Sequence, residues 1–142
     1  MTRQNSFYSR WEPRVLSILR IIAGFLILQH GLQKVFGMLL PPGPAGEPMT
    51  HGTFTLFSLR GISGILEFTG GVLLIMGLFT RFVAFIMSGL LAVAYFYAHA
   101  PGGFWPLLNR GELAALYSFV FLYLSVAGGG VWSVDHMITA RR

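Results

Sequence analysis

The feature that most constrains this chain is the run of residues 82–98, FVAFIMSGLLAVAYFYA, which contains no charged side chain and no side-chain amide. An α-helix needs roughly 20 predominantly apolar residues to cross a hydrocarbon core of about 30 Å. Residues 61–79 and 113–132 are two similar runs; the first carries one charge, Glu67, and the second carries none. Because irregular backbone leaves unpaired polar groups in lipid, these runs predict membrane-spanning helices.

A fourth candidate span, residues 15–37, is the most polar because it contains LQHGLQK at residues 28–34. Each of its large aliphatic and phenylalanine side chains favours insertion by roughly 0.3–0.6 kcal/mol, whereas a charge at the bilayer centre costs about 2.5–3.5 kcal/mol. Arg20 and Lys34 lie toward the two ends, where long side chains reach the interface at lower cost. Insertion is therefore favoured for this segment as well. The sequence predicts an all-α fold, an integral membrane four-helix bundle forming one domain over residues 1–142, with approximate spans 15–37, 58–79, 82–99 and 111–130.

Composition narrows the functional classes. Of the 142 residues, 54% are hydrophobic and 11% are charged, against about a quarter charged in an average soluble domain. The chain has no cysteine, which excludes disulfides and thiolate metal sites. The net charge of +5 is dispersed along the chain, so we expect no nucleic-acid partner and take the lipid bilayer as the predicted partner.

The distribution of basic residues predicts the orientation. One side of the four spans receives Arg3, Arg10, Arg14, Arg81, Arg141 and Arg142. Arg60 and Arg110 fall on the other side, with Lys34 near it. Because the side richer in arginine and lysine usually faces the cytoplasm, both termini are predicted to be cytoplasmic (N-in/C-in). The loop at 41–48, PPGPAGEP, and the loop at 101–111 are then external.

Helical periodicity of about 100° per residue assigns the polar groups of each span to one face. The predicted inner face of the first span carries Arg20, His30 and Lys34, with Gln33 beside them, and that of the second carries Gly64, Glu67 and Gly71. The third span contributes Ser88, Tyr95 and His99, and the fourth contributes Glu112, Leu116, Phe119 and Tyr123. At a rise of about 1.5 Å per residue, Glu67 and His30 fall at similar depth. The sequence thus predicts a polar site in the outer half of the bundle, with Arg20 nearer the opposite surface.

Glu67 and His30 are the residues that we predict to carry chemistry. An ionisable group near the bilayer centre is costly and usually marks a functional site. The alternatives for Glu67 are a structural ion pair with Lys34 or Arg60 and a protonated carboxyl group that donates to a backbone carbonyl. The alternative for His30 is a neutral imidazole donating one interhelical hydrogen bond. The predicted ligand contacts are Lys34, His99, Glu112, Gln33 and Tyr95. A metal or haem at His30, Glu67 and His99 is disfavoured, because these residues come from three helices without a diagnostic spacing.

Other polar residues have structural interpretations. Asn109 and Glu112 fit a capping box, with Asn109 as N-cap and Glu112 three residues later. Asp135 and Arg81 are both predicted at the inner surface, where a salt bridge between them is expected. Gly64 and Gly71, seven residues apart, are predicted to permit close helix contact.

Several segments resemble the DoxX family of small four-helix membrane proteins, in the family's order. They are Arg20 followed by HGLQKVFG at 30–37, EFTGGVLLIMGLFTR at 67–81, His99, PLLNRGELAALY at 106–117 and GGGVWSVD at 128–135. Two loop positions depart from the pattern: Arg110 stands where a small residue is expected, and Gly129 where proline is expected. Arg110 adds a charge near the predicted site.

The resemblance implies a multi-pass protein of the bacterial inner membrane. Some family members look like quinone-linked oxidoreductase subunits, as in thiosulfate:quinone oxidoreductase, and others associate with soluble redox enzymes such as sulfurtransferase and superoxide dismutase. The leading hypothesis is therefore a subunit of a membrane-linked redox system that binds a quinone or another small apolar ligand, with a soluble or membrane redox partner. The alternatives are a non-catalytic assembly or scaffold protein and a small-solute channel. The sequence leaves a homo-oligomer open.

Overall fold

The structure, a computed structural model, describes residues 6–40, 43 and 55–141. The predicted loop at 41–48 lies outside the described residues apart from Gly43, and so do Arg3 and Arg142. Within these ranges all regular structure is helical, which confirms the predicted all-α fold class. The α-helices are α1 (Ser6–Phe36), α2 (Leu59–Met76), α3 (Thr80–Ala94), α4 (Pro106–Asn109), α5 (Glu112–Ala127) and α6 (Val134–Thr139).

Three helical segments of the described chain are long and apolar enough to cross a membrane: Phe7–Phe36, Leu59–Met76 and Thr80–Gly102. The third is α3 continued by a π-helical turn, Tyr95–His99, and a 3₁₀ turn, Ala100–Gly102. The fourth apolar helix, α5, has 16 residues, or about 24 Å at 1.5 Å per residue. These lengths agree with an all-α membrane bundle that contacts the lipid bilayer.

Helices α1 and α2 pack along each other, as do α3 and α5, and the two pairs meet less extensively. Glycines allow the first pair to approach closely. A Cβ added at Gly31 would lie 2.6 Å from the Cα of Phe68, and one added at Gly71 would lie 2.8 Å from the Cβ of Leu28. Because lipid supplies no hydrophobic drive between helices, small residues that let backbones approach stabilise such a pair.

The core lies where α1, α2, α3 and α5 meet. Its fully buried large side chains include Ile27, Leu74, Met87, Phe121 and Leu124. By contrast, large apolar side chains of α3 such as Phe82, Phe85 and Val93 are more than 60% exposed. An exposed apolar surface of this extent is unusual for a soluble monomer, and lipid solvates it in a membrane.

Arg20 is fully buried and ties three segments together. Its Nε donates to the carbonyl of Gly129 at 2.8 Å, and one terminal nitrogen donates to the carbonyls of Leu74 and Ile75. The other terminal nitrogen donates to the carbonyl of Trp132 at 2.6 Å. The guanidinium therefore donates to carbonyls in the last turn of α2, where the regular helical N–H donors end, and holds the segment at 128–132 against α1 and α2.

The predicted salt bridge between Arg81 and Asp135 is wrong, since the two residues form none in the described part of the chain. The carboxylate of Asp135 instead accepts hydrogen bonds from the backbone N–H groups of Phe79 and Thr80, each at 2.8 Å. Arg81 donates to the carbonyl of Val126. The first N–H groups of a helix have no intrahelical acceptor, so Asp135 serves the start of α3 rather than a neighbouring charge.

Candidate functional site

Four of the predicted site residues line one cavity of about 240 Å³: His30 and Lys34 of α1, Glu67 of α2, and His99 at the end of the π-helical turn. Apolar side chains from α1, α3 and α5 complete the wall, together with Arg110. Residues from three helical segments, distant along the chain, thus surround one space. The cavity lies toward the end of the bundle at which α1 ends and α2 begins.

Glu67 is 3% exposed and forms a salt bridge with Lys34, whose Nζ lies 2.6 Å from Oε1. Lys34 also donates to the hydroxyl of Ser63 at 3.3 Å. Gly64 makes this geometry possible, because a Cβ there would lie 2.8 Å from the Cβ of Lys34. The second carboxylate oxygen of Glu67, Oε2, is buried and has no hydrogen-bond partner among the described residues. A buried acceptor without a partner is uncommon in native structures, so this atom marks a place where a donor is missing.

His30 lies at the mouth of the cavity. Its side chain is exposed and makes no hydrogen bond with the described residues. It also lines an adjoining groove of about 430 Å³ between α1 and α5. Gln33 lines this groove and not the cavity, and its amide donates to the carbonyl of Leu39 at 3.2 Å. The structure therefore brings His30 to the cavity and places Gln33 in the adjoining groove.

His99 is held from two sides. Its Nδ1 lies 3.2 Å from the carbonyl oxygen of Asn109, and its ring stacks on Tyr95 with centroids 6.4 Å apart. The Tyr95 hydroxyl donates to the carbonyl of Phe104 at 3.3 Å, and Tyr95 does not line the cavity. Single π-helical turns occur often at functional sites, and this one sets the position of the imidazole. Tyr95 thus contacts His99 and lies outside the lining of the cavity.

The predicted capping box is wrong. Asn109 is the last residue of α4, and α5 begins at Glu112 with Gly111 as its N-cap. Arg110, with φ of 60°, reverses the chain between the two helices. The Asn109 side-chain oxygen accepts from the N–H of Gly111 at 2.8 Å, so the asparagine stabilises the turn. Glu112 stands in the first turn of α5, where a carboxylate interacts favourably with the helix dipole.

The inner face predicted for the fourth helix is also wrong. Leu116, Phe119 and Tyr123 are 59%, 70% and 55% exposed, and Glu112 is exposed on the same face. The face of α5 that meets the cavity carries Leu113, Ala114 and Tyr117. The prediction assumed that Glu112 lies on the inner face of the helix. The burial of Phe121 and Leu124 in the core instead determines which face of α5 points inward.

Arg110 and Tyr117 are cavity residues that the sequence did not identify as site residues. For Tyr117 a signal existed, because residues 113, 117, 121 and 124 follow the spacing of one helix face. For Arg110 the signal was its departure from the family pattern at this loop position. Its side chain adds a second cation beside the Glu67 and Lys34 pair.

No group of three histidine, aspartate or glutamate side chains in the described ranges is arranged to hold a metal ion. His30, Glu67 and His99 line the same cavity without forming such a set. The imidazole, ammonium and carboxylate groups that line the cavity can donate and accept hydrogen bonds.

A larger open cavity, of about 690 Å³, lies at the opposite end of the bundle beside the segment at 128–131. Its charged side chains already have structural partners: Asp135 accepts the N–H groups of Phe79 and Thr80, and Arg81 donates to Val126. The hydroxyl oxygen of Thr80, which lines this larger cavity, is also buried and has no partner among the described residues. The smaller cavity at Glu67 is the better candidate site, because its unpartnered oxygen belongs to an ionisable carboxylate, which costs more to bury than a hydroxyl.

The sequence model of the DoxX family matches residues 15–100. An uncharacterized protein of Haemophilus influenzae is 37% identical over 134 residues, which cover 89% of this chain and 92% of that protein. An uncharacterized membrane protein of Mycobacterium tuberculosis is 31% identical over 147 residues, which cover 94% of this chain and 86% of that protein. No solved structure matches the chain significantly.

Proposed function

Because the chain belongs to the DoxX family, as its sequence motifs indicated, we propose that it binds a small, largely apolar ligand of the quinone class in the cavity at Glu67. The protein acts as a subunit of a membrane-linked redox system in the bacterial inner membrane. The relatives in Haemophilus influenzae and Mycobacterium tuberculosis support a bacterial setting. A soluble or membrane protein is the redox partner in this proposal.

The observation that carries this proposal is the free Oε2 atom of Glu67. The carboxylate is 3% exposed, one oxygen is paired with Lys34, and the other has no partner among the described residues. Ionisable groups buried within membrane helices are expensive and usually mark pathways or sites. A bound ligand that supplies the missing hydrogen bond would account for this arrangement.

The neighbouring groups suit a ring that carries oxygen atoms. Lys34 has three N–H donors. Two of them are used on Glu67 and Ser63 in this structure, which leaves one to donate to a ligand oxygen. His30 faces the cavity without a hydrogen bond to the described residues, and its imidazole can donate or accept. We assign proton exchange with the ligand to Glu67 and His30, and ligand contact to Lys34 and His99.

Purification followed by solvent extraction and quinone analysis tests this proposal. We expect the wild-type protein to carry bound quinone and to bind a short-tailed hydroquinone added in micelles under argon, because its hydroxyl can donate to Oε2 of Glu67. Glu67→Gln should weaken that binding about tenfold, which corresponds to about 1.4 kcal/mol. Glu112→Gln is the matched control, because this exposed acid lies near the same end of the bundle but outside the cavity. Absence of quinone from the extract, with identical titrations for wild type and Glu67→Gln, would contradict the proposal.

A specific observation favours a second candidate, a non-catalytic assembly or scaffold protein. Arg20 shows that this chain uses a fully buried charge purely to join segments, through hydrogen bonds to four carbonyls. The Glu67 and Lys34 pair would then fix the register of α1 on α2. On this hypothesis Glu67→Gln changes the stability or cellular abundance of the protein and leaves its ligand content unchanged.

A further inference from the structure

The cavity at Glu67 is too small to be a complete site for the ligand proposed above. Its volume is about 240 Å³, whereas ligand pockets usually measure about 300–1,000 Å³. The groove between α1 and α5 adds about 430 Å³ directly beside it. His30, Leu113 and Tyr117 line both spaces, so these three side chains form the boundary between them. Cavity and groove together fall within the usual range.

The groove is open on the surface of the bundle, and Gln29 and Gln33 line it beside its apolar side chains. Leu26 of α1 and Leu113 of α5 stand on its two walls and are 38% and 61% exposed. Helices α1 and α5 have little contact with each other compared with the α1–α2 and α3–α5 pairs. An opening between two loosely packed apolar helices of a membrane bundle gives an apolar molecule a sideways path from the acyl chains to the cavity.

At the cavity end of this path, Glu67 has room for a hydrogen-bond donor from a ligand. Oε2 of Glu67 is an acceptor without a partner among the described residues, and Oε1 is already occupied by Lys34. An ionised carboxylate accepts hydrogen bonds only. A hydroxyl or N–H group of a ligand completes its hydrogen bonding, whereas a carbonyl oxygen placed there would face a second acceptor. The site therefore discriminates between ligands by the chemistry of the head group.

From these observations, and on the basis of the proposed function, we infer that the cavity and the groove form one site for an amphipathic ligand. Its hydrogen-bond-donating head reaches Glu67, and its apolar tail lies between α1 and α5. In the quinone class this describes the reduced form, a hydroquinone with an alkyl or isoprenoid tail. The ligand enters from the membrane past His30 and Tyr117.

Binding of three probes to the protein in micelles under argon tests this inference: a decyl hydroquinone, the same hydroquinone without its tail, and the oxidised decyl quinone. Wild type should bind the tailed hydroquinone about tenfold more tightly than either other probe. Glu67→Gln should reverse the preference between reduced and oxidised forms, because the glutamine amide supplies an N–H donor that a carbonyl accepts.

The groove is tested with Leu113→Trp, which fills it, and with Leu116→Trp as the matched control. Leu116 is 59% exposed on the same helix and lines neither space. Leu113→Trp should weaken the tailed hydroquinone about tenfold, and Leu116→Trp should leave its binding unchanged. Leu26, on the opposite wall, lines the groove and not the cavity, so Leu26→Phe should weaken the tailed hydroquinone and leave the tailless one unchanged.

The outcomes separate this inference from the proposed function. Binding that depends on Glu67 but is equal for tailed and tailless probes, with no effect of Leu113→Trp or Leu26→Phe, overturns the head-and-tail site and leaves the quinone-class proposal standing. If wild type prefers the oxidised quinone, the inference that the ligand's head group donates a hydrogen bond to Glu67 is overturned, and the quinone-class proposal again stands. No binding of any of the three probes to wild type contradicts both.

Discussion

Arg20 and Glu67 are both buried ionisable side chains, yet their surroundings differ. The N–H groups of Arg20 bind four backbone carbonyls, whereas one oxygen of Glu67 has no partner in the described part of the chain. A buried polar group whose hydrogen bonds are complete stabilises one arrangement of the fold, and an incomplete one suits a site that receives a ligand. We therefore expect Arg20 to determine stability and Glu67 to determine binding.

Replacing Arg20 with methionine should lower the free energy of unfolding by about 3 kcal/mol or more, because several buried carbonyls lose their donor at once. Arg20→Lys should rescue little, since an ammonium group cannot reproduce the planar fork of donors. Denaturation in mixed micelles measures the change. Arg60→Met, at an exposed arginine, is the control, and equal stability of Arg20→Met and Arg60→Met would refute the assigned role.

At the scale of elements, the contact of α1 with α2 depends on backbone approach. Gly31→Ala should lower the free energy of unfolding by about 1–3 kcal/mol, the usual cost of overpacking a tight contact. The reason is that its Cβ would lie 2.6 Å from the Cα of Phe68, and backbone does not yield as a flexible side chain does. Thermal unfolding in micelles, followed by circular dichroism, is the measurement.

Gly89→Ala is the matched control for this contact. Gly89 lies inside α3, and a Cβ there meets nothing within 4 Å. Since alanine favours a helix over glycine by up to about 1 kcal/mol, Gly89→Ala should be neutral or stabilising. A loss of stability as large as that of Gly31→Ala would show that the cost arises from helix propensity or lipid packing and not from the α1–α2 contact.

Helices were predictable from the sequence to different degrees. Helical periodicity and rise predicted that His30, Lys34 and Glu67 lie close together, and the three side chains line one cavity. Periodicity failed for α5, where the single acid, Glu112, suggested a face that is in fact exposed. The side chain of a charged residue in the first turn of a helix can reach water whichever way the helix is rotated about its axis. Such a residue therefore does not indicate which face of the helix is buried.

For the whole molecule, the distribution of arginines predicts that both termini face the cytoplasm. The chain has no cysteine, so the labelling of a single introduced cysteine shows on which side of the membrane that position lies. In intact cells a membrane-impermeant maleimide should label Phe104→Cys, in the exposed segment before α4, and should label Ala140→Cys, after α6, only once the membrane is opened. Phe104 is 79% exposed, and Ala140 is also exposed. The reverse pattern of labelling would invert the topology.

The contacts made by the segments outside the predicted spans were harder to predict from the sequence. The bonds of Arg20 to Gly129 and Trp132 depend on the path of a glycine-rich segment that returns to the end of α2, and no periodicity predicts such a path. Asp135 was expected to pair with the nearest arginine, but a helix start offered it two N–H donors in fixed geometry. The error at Asp135 came from treating a charge as the partner of a charge and overlooking the backbone.

The partners of Arg20 also bear on how the protein is made. Gly129 follows Arg20 by 109 positions, so the ribosome delivers this arginine to the translocation machinery long before two of its acceptors exist. During that interval the nascent first helix holds an unmatched cation, which the emerging second helix relieves only in part. A chain released before residue 128 would keep that defect permanently, and quality-control proteases would have a physical basis for recognising truncated products.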